Sequence, residues 1–564
     1  MKKHIKASVP YCVLGIIFLF LTNAVRTLTV YKTLEWNTAF LVKNTLLSVI
    51  LGIIIGFIVY ALLLPIQKFD NTKSLTDKRR PKGVFFAISL VVDIVCWIPY
   101  FLAYYPGILS YDSYVQIEQI ASGAYNEHHP LMHTLLIRLF MTIGNKLFSN
   151  VNTGIALYCI FQCIVLAAVI AYATAVLYDR VGSIPAIVVM IVMAFFPING
   201  YMSITVTKDI LFSAAFLLTV VSFSEYVSLQ LDAGPNIAKK ILNDILLFIG
   251  VFGICVLRNN GKYALALMII AMLVFEIRES IIRIKNRKAD EKKKIRIHYE
   301  RPLIVCMASM CIAIISLLVI SKSLGASQGD RREMLSIPIQ QIARVYKYHS
   351  NELDNESLGL INEFILNGAA DNYRQDISDP VKRNVNTYVV RYHTKEFVKV
   401  YFKLFRKYPG EYINAFLAEN AGFLDIGDES HAHINEVSGK KGVGYIQTAW
   451  AEWSLKNSGL RKDSKWESLY SVLENFAGNN DYLNVPFIRY IFMPGLYLWI
   501  VAVAILYVFS RKRYVSIIPF SLICGYYLTM FFGPTVQLRY IYPIMLCVPF
   551  IGLLTRGHGE ANEG

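Results

Sequence analysis

Long, unbroken apolar runs set the rhythm of this chain. Twelve recur, at about 10–31, 44–65, 83–104, 153–178, 183–198, 209–230, 242–257, 263–276, 302–320, 487–509, 514–532 and 540–555. Most approach the roughly 20 residues a helix needs to cross the hydrocarbon core of a bilayer. They are continuous rather than alternating, which excludes a membrane barrel. Several are short, as expected of tilted helices or helices buried among others. The pattern predicts an all-α polytopic membrane protein with about twelve transmembrane helices.

Two polar intervals interrupt the rhythm. The first, Tyr104 to Asn150, holds a Pro-Gly turn, Tyr111-Asp112 and a His128-His129-Pro130 corner. Within it, Leu131–Leu147 carries Met132, Leu135, Leu136, Leu139, Phe140, Ile143 and Leu147 on one helical stripe. Thr134, Arg138 and Asn145 lie opposite, so the stretch reads as a helix lying in the membrane interface. Asp112–Ala121 reads as a shorter helix, with Asp112, Gln116 and Gln119 on one face. The second interval, 321–486, is long enough for a separate domain. Its segments around 334–349 and 394–420 have helical periodicity, so it is expected to be mostly α. The chain then divides into an N-terminal helix pair with a basic loop (1–82), a membrane module with the outer loop 105–152 (83–320), the polar domain (321–486) and C-terminal helices with a tail (487–564).

Charge adds orientation. The chain is 55% hydrophobic and 17% charged with net charge +16; soluble chains are about 25% charged. In a soluble protein that excess would suggest nucleic acid. Here it follows from the loading of cytoplasmic loops with Lys and Arg, and no nucleic-acid partner is expected. Lys68–Lys82, Arg278–Arg301, Arg511–Arg513 and the N-terminal lysines share one side when Leu131–Leu147 does not cross. Both termini are then cytoplasmic in a multi-pass cell-membrane protein, with 321–486 outside. The N-terminal run lacks a small-residue cleavage site before Lys32 and reads as an uncleaved helix. All nine cysteines fall in apolar runs, so the 321–486 domain holds no disulfide, and no Cys-x-x-Cys spacing exists.

Ionisable groups at the ends of membrane spans are costly and mark function. Four sets fall at the outer face in this topology: Asp112 with His128 and His129; Lys208-Asp209; Arg258-Asn259-Asn260-Gly261-Lys262; and Gln537-Leu538-Arg539-Tyr540. Carboxylates take protons from hydroxyls, and Arg and Lys hold phosphates. Each set also has a plainer structural reading. Asp112 suits a helix N-cap. Lys208-Asp209 suits a local ion pair at a helix start. The Asn-Gly turn suits simple chain reversal. His129 and His133 have half a zinc-site spacing, without a third ligand nearby.

An Asp in the first large outside loop, then His-His-Pro, then an acidic residue at the outer start of a later span, resembles the GT-C superfamily of polyprenyl-phosphate-sugar-dependent glycosyltransferases, of the protein O-mannosyltransferase kind. In more detail, YPG…YDSYVQ…HHP, TKDILF, LRNNGKYA, REMLSIPIQQIARV and QLRYIYP resemble an uncharacterised family of large Gram-positive membrane proteins. The GT-C likeness covers mainly 83–280 and implies a GT-C-like fold. It implies that Asp112 is the general base and that Asp209 positions a substrate. His128, His129, Lys208, Arg258, Asn260, Lys262 and Arg539 would bind sugar or lipid phosphate. The partners so implied are a polyprenyl-phosphate sugar donor, a glycan, lipid or protein acceptor, and the bilayer. GT-C members often carry paired acids in the first loop, whereas Ser113 follows Asp112 here. That departure points to metal-free chemistry and no assigned metal ligand, with a divalent cation left open. An O-antigen-type polymerase or ligase and a lipid or glycan transporter are the alternatives.

Overall fold

A computed structural model describes residues 2–71, 82–110, 112–231, 236–286, 298–428, 446–450, 455 and 458–555. Tyr111, much of the basic stretches at 68–82 and 278–301, most of the 425–445 loop and the tail after 555 lie outside the described residues.

Among the described residues every regular element is helical. In chain order they begin α1 (Lys2–Tyr31), α2 (Thr38–Asn71), α3 (Lys82–Ala103), α4 (Ser113–Ser122), α5 (Leu131–Phe148) and α6 (Val151–Arg180). There follow α7 (Ser183–Phe195), α8 (Pro197–Ser203), α9 (Lys208–Leu231), α10 (Ile237–Leu257), α11 (Gly261–Asn286) and α12 (Glu300–Leu324). A second group holds α13 (Ser336–His349), α14 (Asn355–Phe364), α15 (Thr394–Lys407) and α16 (Pro409–Glu419). The chain ends with α17 (Pro494–Ser510), α18 (Ile517–Phe531) and α19 (Leu538–Cys547).

Nine helices among the described residues are long and apolar enough to cross a membrane, ten if the bent pair α7–α8 is one span. The break of 57° in that pair falls at Pro197, whose ring cannot continue the preceding hydrogen-bond ladder. The two other expected runs lie on α11 and α17. α11 carries Lys262, Glu276, Arg278 and Glu279, and the apolar helix α17 has 17 residues.

α9 is the centre of the bundle. Its span is 94% buried, against 22% for α2. The sequence shows why: α9 is rich in Ser, Thr and Ala, which let neighbours approach closely. Gly250 of α10 lies against Thr219 and Ala215. Some of its hydroxyls are satisfied within the helix, Ser213 donating to the Asp209 carbonyl (2.6 Å) and Thr219 to that of Ala215 (2.9 Å), as suits an apolar medium.

α5 and α6 form a tight antiparallel pair. A Cβ on Gly154 would sit 2.7 Å from the Met141 Cα. The expected apolar stripe of α5 is not its inward face. Leu139 and Leu147 are exposed, whereas His133, Thr134 and Ile137 are buried. Thr134 turns inward because Gln116 of α4 donates to its hydroxyl at 2.8 Å. The two short helices of the loop therefore meet through polar side chains.

Residues 331–424 build a second core from Ile339, Ile342, Phe364, Val381, Val400 and Leu404. The buried Arg344 guanidinium binds Glu411 (2.6 Å), the Tyr373 hydroxyl (3.0 Å) and the Lys32 carbonyl (2.7 Å). The last contact ties this core to the α1–α2 turn. Thr535, in the α18–α19 turn, donates to the Asp376 carbonyl at 3.0 Å. The 331–424 unit thus sits on the same end of the bundle as the 104–150 loop, which pairs with Ser327 through Asn126.

Candidate active site

The site begins with a register. After α3 the chain turns at Pro106-Gly107. Gly107 has φ +153° and packs against Ile204 and Cys159, a conformation and a closeness that suit only glycine. Ile108 then bridges the 204–206 segment in parallel: its N–H donates to the Ile204 carbonyl, and the Val206 N–H donates to the Ile108 carbonyl, both at 2.9 Å. Two parallel segments advance together. Asp112 lies four residues beyond Ile108, and Lys208 four beyond Ile204. The Lys208 ammonium meets Asp112 Oδ2.

Other elements complete the cluster at this end of the bundle. α19 opens with Arg539, whose Nη1 lies 2.9 Å from Asp112 Oδ2 and 3.5 Å from Asp209 Oδ2. Asp209, in the first turn of α9, is fully buried. It accepts from Arg258 Nη1 at 2.7 Å and from the Thr207 hydroxyl at 3.1 Å. Arg258 follows α10 and sits in an aromatic box, 4.7 Å from the Tyr540 ring, 5.5 Å from Tyr526 and 5.6 Å from Phe212. Such stacking stabilises a desolvated guanidinium. His129 brings Nδ1 to 3.8 Å from Asp112 Oδ2. That nitrogen is buried and has no hydrogen-bond partner among the described residues.

The electrostatics follow from this packing. Burial pushes the Asp112 carboxyl up, but the Arg539 and Lys208 charges outweigh it and hold the group well below the usual carboxylate range. Burial pushes the His129 imidazole down to about 3, against the pull of Asp112 in the other direction. His129 is therefore neutral, and its Nδ1 is open to a hydrogen bond. Three cations, Lys208, Arg258 and Arg539, surround two carboxylates, so the cluster favours a further negative charge.

The plainer readings can now be weighed. Asp112 stands at the N-cap of α4 but makes no capping hydrogen bond through its side chain. Lys208 and Asp209 turn to different partners, Asp112 and Arg258. His133 spends both ring nitrogens on Gln116 (2.9 Å) and the Tyr158 hydroxyl (2.7 Å), so it does not act with His129 as a ligand pair.

Three expected residues stand aside from the carboxylates. Asn260 donates to the Thr529 hydroxyl at 3.0 Å. Lys262 lies 5.5 Å from the Tyr263 ring. The exposed His128 stacks edge-on to His129, and the Asn259 side chain reaches its carbonyl at 3.5 Å.

The sequence reading missed several supporting groups. Thr207 orients Asp209, and Tyr526 and Phe212 wall Arg258. The chain His133–Tyr158–Gln162 runs to the carbonyls of Met202, Ser203 and Thr205, bracing the segment that delivers Lys208. The signals available were positional: Thr207 and Phe212 flank Lys208-Asp209 within TKDILF, and Tyr540 stands beside Arg539.

A family model matches residues 119–563. The chain belongs to DUF6020, a family of unknown function. No curated protein and no solved structure matches it. The DUF6020 match includes His128, His129, Lys208, Asp209, Arg258, Asn260, Lys262 and Arg539. Asp112 lies seven residues before it.

Proposed function

We propose that this chain is a membrane glycosyltransferase of GT-C-like architecture, moving a sugar from a polyprenyl-phosphate-linked donor to an acceptor hydroxyl outside the cytoplasm. The acceptor is a cell-surface glycan, a wall polymer or a protein. In this reading about twelve helices cross the membrane, both termini are cytoplasmic, and 321–486 lies outside.

One observation carries the reading: Asp112, partly exposed, and Asp209, fully buried, are tied through Arg539 at one end of the bundle, with Lys208 and Arg258 completing the set. Such a set matches what the reaction needs. The acceptor oxygen forms a bond to the anomeric carbon as the bond from that carbon to the phosphate oxygen breaks. The electron pair leaves with the polyprenyl phosphate, where fixed cations stabilise it. The acceptor proton passes to Asp112 as general base. One displacement inverts the anomeric centre.

A second reading, an O-antigen-type polymerase or ligase, is favoured by a specific observation: two cations hold Asp112, while the Nδ1 of neutral His129 has no hydrogen-bond partner among the described residues. Here His129 and the arginines act, and Asp112 only positions them.

The test is a deletion strain complemented with wild type or Asp112→Asn at matched membrane levels. Surface glycans, lipid-linked glycans and secreted proteins are analysed by mass spectrometry. The expected result is loss of a hexose-sized mass in the deletion, restored by wild type and not by Asp112→Asn. Restoration by the variant moves the assignment to the polymerase or ligase. An unchanged glycan profile in the deletion strain refutes both.

A further inference from the structure

We infer that Asp112 is an internal stand-in for the donor's phosphate, occupying the place between Lys208 and Arg539 that a phosphate oxygen takes in the loaded enzyme. This rests on the glycosyltransferase reading and assigns which of its cations meet the donor.

Arg258 is committed elsewhere. It bonds the fully buried Asp209 at 2.7 Å and is walled by three aromatic rings. Lys208 and Arg539 instead converge on one oxygen, Asp112 Oδ2, of the more exposed carboxylate. The Asp112 side chain is 24% exposed and that of Asp209 0%. An incoming anion therefore reaches the Asp112 pairings first.

A phosphate is a stronger competitor than a carboxylate. It offers more acceptor oxygens, and Arg binds it through two parallel N–H bonds. Asp112 gains base strength as its cations turn to the donor, because opposite charges are what depress its proton affinity. His129 Nδ1, 3.8 Å away and without a hydrogen-bond partner among the described residues, is then the neighbour that accepts a hydrogen bond from the acceptor or from protonated Asp112. The donor thus switches on the base: without it, Asp112 is neutralised by its own cations. When the glycosidic bond forms and the phosphate leaves, the proton on Asp112 passes to solvent and the internal pairs re-form.

The test uses the purified full chain and farnesyl phosphate as a soluble polyprenyl phosphate, with binding measured by titration calorimetry and farnesol as the phosphate-free control. If Asp112 competes for the site, Asp112→Asn binds farnesyl phosphate about tenfold more tightly than wild type, or about 1.4 kcal/mol. Lys208→Ala and Arg539→Ala weaken binding by at least a similar factor. Asp112→Ser is a second variant, and thermal melts verify that each protein is folded. Equal or weaker binding by both folded Asp112 variants, with the Lys208 and Arg539 losses kept, overturns the stand-in and leaves the phosphate reading intact. No binding of farnesyl phosphate by wild type or any variant overturns the phosphate reading as well.

Discussion

Asp112 and Asp209 share one arginine and stand in opposite surroundings. Asp209 begins the most buried helix of the bundle, exposes nothing, and faces Arg258 in its box of rings. Asp112 stands on a turn, is a quarter exposed, and is held by Lys208 and Arg539, which converge on one of its oxygens. Buried ion pairs are costly to assemble and more costly to break from one side. Exchangeable pairs at a site mouth behave as counter-ions that a ligand displaces. The first carboxylate is thus a fixed post that holds Arg258 and steadies Arg539, and in the proposed reaction the second is the working group.

The contrast breaks most directly at Asp209. Asp209→Ala leaves the buried Arg258 charge unpaired, and a loss of about 3–5 kcal/mol of stability is expected. Asp112→Asn, by contrast, removes a partly exposed partner and leaves Arg539 with Asp209 and Gln537, so a smaller loss of about 1–2 kcal/mol is expected. Thermal melts of both variants in one detergent decide this. Similar losses for the two would erase the division of labour.

The pH dependence sharpens the same comparison. His129 is neutral when folded, its pKa pushed down by burial to about 3, against about 6.5 in an unfolded chain. A depressed histidine contributes stability that is fully present above pH 6.5 and is lost as pH falls, because only the unfolded chain takes up the proton. The slope is about 1.4 kcal/mol per pH unit below 6.5. Asp112 is also depressed, but its contribution is present above an unfolded value near 3.9 and declines only below about pH 5. Between pH 6.5 and 5 the slope therefore belongs to His129 and to the likewise buried and depressed His133 rather than to Asp112. Measured as a difference from wild type, His129→Gln should remove the His129 share, about half of this histidine slope, and Asp112→Asn should remove none of it. An unchanged slope in His129→Gln would mean that this imidazole is already charged.

The sequence made some of this legible and hid the rest for physical reasons. Helices announce themselves through apolar runs, and an ionisable residue at the end of such a run is conspicuous, so Asp112, Lys208, Asp209, Arg258 and Arg539 could all be picked out. Their pairings could not. Asp112 and Arg539 are 427 residues apart, and no local pattern encodes that distance. Lys208-Asp209 looked like a neighbouring pair, yet at the start of α9 the two side chains point to different partners. The polar inward face of α5 left no periodic signal because Thr134 and His133 find their partners on α4 and α6, not within their own helix. The parallel bridge at Ile108 is too short to leave a periodic trace, although it aligns Asp112 with Lys208. Asn260 and Lys262 were drawn into the candidate set by a dense polar turn, and of that turn only Arg258 reaches a carboxylate of the cluster.

The smallest expected effect separates two adjacent histidines. His128 is exposed; its ring centroid lies 4.5 Å from that of His129, its N–H donates to Asn126 Oδ1 at 3.1 Å, and its carbonyl accepts from Asn259 at 3.5 Å. His129 is buried beside Asp112 with a bare nitrogen. Truncating an exposed side chain that makes no side-chain hydrogen bond among the described residues changes stability by about 0.5 kcal/mol or less, and the Asn126 and Asn259 contacts survive because they use the backbone. His128→Ala should therefore melt with wild type, bind farnesyl phosphate with unchanged affinity, and restore the glycan profile in the deletion strain. Loss of binding in His128→Ala, with folding intact, would extend the anion site outward along the His-His-Pro corner and make the exposed imidazole its first contact with the donor.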